Sequence, residues 1–101
     1  MNEGDNKSEM NYVLPSEVTL KFTAKLSIVE DKPIMFDYWT ASLDKKVVIG
    51  VKESGEKLLV KSEDEYTSTV IKFYKSNSEI IVVTENSIYL VSRDTPSRRI
   101  K

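Results

Sequence analysis

The sequence of 101 residues contains neither cysteine nor histidine, and these two absences exclude several kinds of chemistry. Without cysteine the chain has no disulfide, no thiolate metal ligand and no thiol nucleophile. Without histidine it lacks the usual base of a catalytic triad and a common ligand of zinc and haem iron. We therefore expect no bound metal and no cofactor, and a protein that is not an enzyme.

Glycine is scarce too, since Gly4, Gly50 and Gly55 are the only three in the chain. They lie too far apart to form a glycine-rich phosphate loop. No segment approaches the roughly 18 apolar residues of a transmembrane helix, and the polar, acidic N-terminus lacks the apolar stretch of a signal peptide. We expect a soluble protein of the cytoplasm or of the interior of a host cell, without membrane contact.

Neither basic nor acidic residues are in clear excess. The 15 lysines and arginines are balanced by 16 acidic residues, which gives a formal net charge of -1. Such a balance predicts no strong attraction of the whole chain to nucleic acid or to an acidic membrane. Lysine, isoleucine and asparagine are frequent, a bias common in AT-rich genomes, including those of many viruses and phages.

The most regular pattern runs from Val18 to Ile28, where every even position is apolar and every odd position is Thr, Lys or Ser. Side chains alternate between the two faces of a strand. This pattern therefore predicts a long strand with one buried face, on whose polar face Lys21 and Lys25 lie together. Such a strand needs a partner layer from the rest of the chain.

A second strand is predicted from Ile34 to Thr40, a run of mostly apolar and aromatic residues. The alternative is that Asp37 caps a short helical turn that continues through Leu43. Short apolar segments separated by polar turns then continue as far as Val91. No segment has a sustained helical period, and the short turns between the segments favour antiparallel strands.

Two hairpins are predicted in this part of the chain. The loop Glu53-Ser54-Gly55 should place Gly55 in the left-handed conformation and Lys52 opposite Glu56. The loop Glu85-Asn86-Ser87 should form a tight turn because asparagine tolerates a positive φ. The unbroken apolar run Ile80–Val83 predicts a strand that is buried on both faces.

Together these patterns predict an all-β protein. We expect a single small antiparallel barrel or two-layer sandwich of about seven strands, with flexible N- and C-terminal tails. The domain should span residues 16–92, between an acidic and polar tail of residues 1–15 and a basic tail of residues 93–101. Such a fold is compatible with many functions.

Three aromatic residues are candidates for binding a protein partner: Phe36, Tyr38 and Trp39. Exposed aromatic side chains dominate protein interfaces. The alternative is that they fill the core, with the indole N–H near a hydrogen-bond acceptor. Asp37 lies among them and could serve as a proton donor if it were buried, whereas a solvent-facing or turn-capping position is the ordinary alternative.

Residues Lys72-Phe73-Tyr74-Lys75 are the best candidate for a nucleic-acid site, because aromatic rings on a β-surface can stack on bases while lysines contact phosphates. The first predicted strand and the basic C-terminus could extend this surface. An ordinary amphipathic strand explains the same pattern, and no RNP-type motif is present. The residues expected to bind nucleic acid on this alternative are Lys21, Lys25, Lys72, Tyr74, Lys75, Arg98 and Arg99.

The absence of catalytic residue types and of cofactor loops favours a non-enzymatic binding or assembly module. It would act through protein–protein contacts, including self-association, because strand edges can pair with another chain. The alternative is an OB-like or SH3-like nucleic-acid-binding domain. The expected partner is a protein or a second copy of the chain, with nucleic acid as the alternative and no membrane or metal.

Overall fold

A computed structural model describes residues 13–100, which form two helices and eight strands. The greater part of the predicted N-terminal tail, residues 1–12, lies outside the described residues. In chain order the elements are α1 (Glu17–Glu30), β1 (Ile34–Met35), α2 (Trp39–Leu43), β2 (Val48–Val51), β3 (Lys57–Ser62), β4 (Glu65–Tyr66), β5 (Val70–Ser76), β6 (Glu79–Thr84), β7 (Ile88–Ser92) and β8 (Ser97–Arg99).

The strands form two sheets of four. The central sheet has the order β1-β7-β6-β5, and the outer sheet has the order β4-β3-β2-β8. The prediction that strands dominate is confirmed, but the antiparallel prediction is wrong, because β1 runs parallel to β7 and β8 parallel to β2. Both parallel pairs join segments far apart in the sequence, as parallel pairing requires. Among residues 13–100 neither sheet closes into a barrel.

Two buried clusters lie on the two faces of the central sheet. One joins Ile80 and Val82 of β6 to residues of the outer sheet that include Leu59. The other contains Ile81 and Val83 of β6 and packs against α1. Since successive side chains of a strand alternate between its faces, β6 is covered on both sides. All six of its residues are buried, which confirms the prediction for this strand.

The predicted strand from Val18 to Ile28 is wrong, because these residues belong to helix α1. At the helical period, Thr19 and Thr23 fall on one side, and both are fully buried. No glycine or proline interrupts the segment, and Asp31 ends the helix in the left-handed conformation with φ 56°. The apolar alternation thus misidentified both the element and its buried side, because tertiary contacts outweigh local pattern.

The predicted strand from Ile34 to Thr40 is wrong for most of its length, and the helical alternative is partly confirmed. The strand stops after β1 at a turn in which the Trp39 N–H donates to the Phe36 carbonyl at 3.1 Å. The short helix α2 follows, with Tyr38 at its N-cap position instead of Asp37. This turn allows consecutive aromatic residues to enter different buried clusters.

Both predicted hairpins are confirmed, although one uses a different turn. In the β2–β3 loop Gly55 has φ 94°, and the Lys52 N–H donates to the Glu56 carbonyl at 2.8 Å. In the β6–β7 loop Asn86 does not have a positive φ. Its N–H donates instead to the Thr84 hydroxyl at 3.2 Å, so a side chain closes this turn.

The predicted C-terminal tail is part of the outer sheet. Strand β8 lies beside β2, where the Ile49 N–H donates to the Pro96 carbonyl at 2.8 Å and the Ile100 N–H donates to the Val51 carbonyl at 2.9 Å. The Ile100 side chain covers Gly50 on the face of the outer sheet that points away from the central sheet. Backbone pairing and this contact therefore hold a segment whose composition predicted a mobile tail.

Candidate protein-interaction surface

The first turn of helix α1 is attached to the central sheet by polar groups. Glu79, the first residue of β6, is buried, and its carboxylate accepts a hydrogen bond of 2.6 Å from the Thr19 hydroxyl. It also accepts hydrogen bonds of 2.9 Å from both the amide and the hydroxyl of Ser16. This position is favourable for a carboxylate, because the N-terminus of a helix carries partial positive charge.

The outward side of α1 carries apolar side chains, which we call the α1 stripe: Val18, Phe22 and Val29. Val18 is 63% exposed, Val29 is 77% exposed and Phe22 is also exposed. At 3.6 residues per turn the three lie within about 40° of one another around the helix axis. A helix of a globular protein normally turns its apolar side inwards. In α1 this arrangement is partly reversed, since Thr19 and Thr23 are buried while the apolar stripe is exposed.

One member of the α1 stripe, Phe22, lies against strand β5. The ring of Phe22 contacts the ring of Tyr74 edge to face, with 5.5 Å between the centroids. Near the end of the helix, Glu30 Oε2 lies 3.9 Å from Lys72 Nζ. Strand β5 is at the edge of the central sheet. The α1 stripe and the edge of β5 therefore lie on the same side of the molecule.

The other face of β5 is also partly apolar. Phe73 pairs with Val82 of β6 and points to the face opposite Tyr74, where it remains exposed at the edge of the sheet. Ile71 is exposed beside a bulge in the pairing between β5 and β6. The edge of β5 thus has aromatic side chains on both faces, a combination that suits contact with another protein chain.

The three predicted partner-binding aromatics do not form one surface. Tyr38 and Trp39 are buried, because they pack into the clusters on opposite faces of the central sheet. The Trp39 indole N–H donates to the Val13 carbonyl at 2.7 Å, which satisfies its one donor. Only Phe36 of the three is exposed, at 49%.

The two tyrosines that pack together between the sheets are held in the protonated form. The rings of Tyr38 and Tyr89 meet edge to face at 5.3 Å, and Lys61 Nζ lies 4.6 Å from the centroid of the Tyr38 ring. Burial raises the pKa of Tyr38 to about 12, and the nearby Tyr89 hydroxyl and Asp37 carboxylate act in the same direction. Burial also raises the pKa of Tyr89. Neither hydroxyl is suited to act as a base near neutral pH.

The residues predicted to bind nucleic acid are divided among one helix and two sheets. Lys21 and Lys25 lie on the exposed side of α1. In β5, Lys72 is close to Glu30 and Tyr74 packs against α1, whereas Lys75 points to the opposite face. The two arginines lie in β8, at an edge of the other sheet. The structure therefore does not gather these residues into one continuous surface.

Two cavities lie outside the α1 stripe. One of 840 Å³ opens on the outer sheet, where Leu58, Val60 and Tyr66 form an apolar wall. Another of 340 Å³ is bordered by Phe36 and Trp39. Within residues 13–100, no three acidic side chains are grouped closely enough to hold a metal ion.

Sequence reasoning missed the α1 stripe because it assigned these residues to a strand. A helical projection of the same residues places Val18, Phe22 and Val29 together and Thr19 and Thr23 on a different side. That projection could have found the stripe. It could not have shown which side is buried, because the partners of the Thr19 hydroxyl lie in β5 and β6.

Comparisons with models of protein families, with curated proteins and with solved structures find no match for this chain. Within the described part of the chain, neither helix has both the length and the apolar character needed to cross a membrane. Function is therefore inferred from the surface itself.

Proposed function

We propose that this protein is a non-enzymatic assembly module, a small two-layer sandwich of strands that binds a second copy of itself through the α1 stripe. The observation that carries the proposal is the exposure of Val18, Phe22 and Val29 on a helix whose inward side buries Thr19 and Thr23. Removal of apolar surface from water favours association. Exposed apolar patches of this kind mark interaction sites.

A second copy suits this surface because the α1 stripe is nearly symmetric along the helix. Val18 lies next to the first residue of α1 and Val29 lies next to the last. If two α1 helices pack antiparallel about a two-fold axis, Val18 of each copy approaches Val29 of the other. Two-fold interfaces use the same patch on both subunits. The same axis brings Lys25 near Phe22 of the second copy, where its aliphatic stem can cover the ring.

Sedimentation of the full chain over a range of concentrations tests this proposal. We expect the wild-type protein to form a dimer, and its thermal midpoint to rise with protein concentration. Val29→Glu should shift the equilibrium to the monomer without changing the circular dichroism spectrum, because the Val29 side chain is exposed in a single copy.

Ile28→Glu is the matched control. Ile28 is 81% exposed and neighbours Val29 in the sequence, but it points about 100° away around the helix axis. This variant should therefore remain dimeric. A wild-type protein that stays monomeric at every concentration, or equal weakening by the two substitutions, would contradict the proposal.

A further inference from the structure

We infer that the two copies join through strand β5, which pairs antiparallel with β5 of the second copy about a two-fold axis at Phe73. This inference rests on the proposed self-association and specifies its geometry. The two four-stranded central sheets then form one continuous sheet, with both α1 helices on the same face. Strand edges carry unpaired backbone groups and are natural sites for such pairing.

The backbone of β5 presents hydrogen-bonding groups at the edge. Ser76 pairs with Glu79 across a loop of two residues, and the pair that closes such a hairpin exchanges hydrogen bonds. Hydrogen-bonded and non-hydrogen-bonded pairs alternate along an antiparallel ladder. The backbone N–H and C=O groups of Tyr74 therefore point to β6, whereas those of Phe73 and Lys75 point to the free edge.

The length of β5 favours an axis at its centre. Phe73 is the middle residue of the seven in β5, Val70–Ser76. An antiparallel pair centred there matches every residue of the strand with a residue of the second copy. Equivalent side chains of the two copies then lie on the same face of the continuous sheet, so Phe73 meets Phe73 of the second copy. The two outer sheets also lie on one side of it.

The charges of β5 support the same register. With the axis at Phe73, Lys72 lies opposite Tyr74 of the second copy and Lys75 lies opposite Ile71. Neither lysine then faces a like charge. An axis at Lys72 would instead place two ammonium groups directly opposite each other, which is unfavourable.

The position of α1 agrees with this axis independently. Helix α1 packs over β6. Thr19 bonds to Ser76 and Phe22 contacts Tyr74, so the side of the helix that carries Phe22 lies towards β5, close to Phe73. Strands are spaced about 4.8 Å apart. In the dimer, the two α1 helices would lie roughly 10 Å apart if each were centred between β5 and β6, and roughly 14 Å apart if each were centred above β6. The side chains of the α1 stripe point into this gap. One two-fold axis therefore brings together both the strand edge and the apolar side of the helix.

Single cysteines test the register without background, because the chain has no native thiol. Under mild oxidation, Phe73→Cys should form an intermolecular disulfide at least about tenfold faster than Lys75→Cys, since only the first places its Cα atoms within disulfide reach. Lys72→Cys should cross-link fastest only if the two-fold axis lies at Lys72, which is one residue away from the proposed register. A nitroxide label attached at Lys75→Cys leaves Phe73 intact, and the two Cα atoms at this position should lie about 14 Å apart in the dimer.

The outcomes separate this inference from the proposed function. Fast cross-linking at position 73 together with a short distance between the labels supports pairing through β5. If Phe73→Cys does not fold, as judged by circular dichroism, the label distance decides alone. A dimer by sedimentation whose labels are far apart, or which cross-links faster at position 72, overturns this register but leaves self-association in place. A monomer at all concentrations overturns both.

Discussion

The Thr19 hydroxyl donates a hydrogen bond of 2.6 Å to the buried Glu79 carboxylate, and this contact joins helix α1 to the central sheet. A buried carboxylate is tolerated only when its oxygens have hydrogen-bond partners, and here the amide and hydroxyl of Ser16 provide the others. Because α1 carries the apolar stripe, the same contact also positions the surface through which we propose that the protein assembles.

Replacement of Glu79 should loosen α1. Glu79→Ala removes the acceptor of the Ser16 amide and hydroxyl and leaves the Thr19 hydroxyl with Ser76 alone. We expect the free energy of unfolding to fall by about 3 kcal/mol. Urea denaturation measures this loss, and hydrogen exchange should show faster opening of the α1 amides. Glu85→Ala is the control, because Glu85 is exposed and its loss should cost less than about 0.5 kcal/mol.

The direct coupling between the helix and the sheet can be measured with a double-mutant cycle. Thr19→Val and Glu79→Ala each remove one partner of the 2.6 Å hydrogen bond. Their combined effect should be smaller than the sum of the two single effects by about 1 kcal/mol, as expected for residues in contact. Simple additivity would show that this hydrogen bond does not contribute to stability.

Gly50 should resist substitution because Ile100 lies against it. A Cβ atom at position 50 would lie 2.7 Å from Ile100 Cδ1 and 3.0 Å from Val60 Cγ2. We expect Gly50→Ala to cost about 1 kcal/mol, because either side chain must move. In an Ile100→Ala background the same substitution should cost less, which urea denaturation of the four proteins would show. An unchanged cost would mean that Ile100 does not rest on Gly50 in solution.

Alkaline pH should destabilise the fold through Tyr38. Its pKa is raised from 10.0 to about 12 by burial, so below pH 10 the hydroxyl keeps its proton in both the folded and the unfolded chain. Between pH 10 and 12 only the folded chain keeps it. Unfolding then releases a proton, and the free energy of unfolding should fall as the pH rises, by about 1 to 2 kcal/mol.

Tyr38→Phe should remove this contribution, so the wild-type protein should lose more stability than the variant between pH 9 and pH 12. Urea midpoints measured across this range test the difference. Equal losses in the two proteins would indicate that the Tyr38 hydroxyl ionises as readily in the folded state as in the unfolded state.

A single-stranded oligonucleotide should bind weakly or not at all. The lysines of α1 and β5 and the arginines of β8 do not share one surface, and Tyr74 packs against Phe22 instead of presenting a free ring. An NMR titration at low salt should therefore leave the amide resonances of Lys21, Lys25 and Lys72 unshifted. Shifts confined to these residues and lost at high salt would instead favour the nucleic-acid-binding alternative.

Features that depend on neighbouring residues could be predicted from the sequence. The sequence by itself determined the β2–β3 hairpin, because Gly55 readily adopts φ 94° and a loop of three residues places Lys52 opposite Glu56. It also determined that β6 is buried on both faces, because an unbroken apolar run has no polar side to expose. These predictions required only local chemistry.

Only the tertiary structure decided what α1 is and which side of it is exposed. Alternating apolar residues fit a strand, yet the buried partners of Thr19 are Ser76 and Glu79, which lie 57 and 60 positions away along the chain. Likewise, β8 is ordered by backbone pairing with β2, which the composition of a basic tail does not reveal. The local sequence pattern therefore could not predict the candidate surface, because the side of α1 that stays exposed depends on which residues the opposite side contacts.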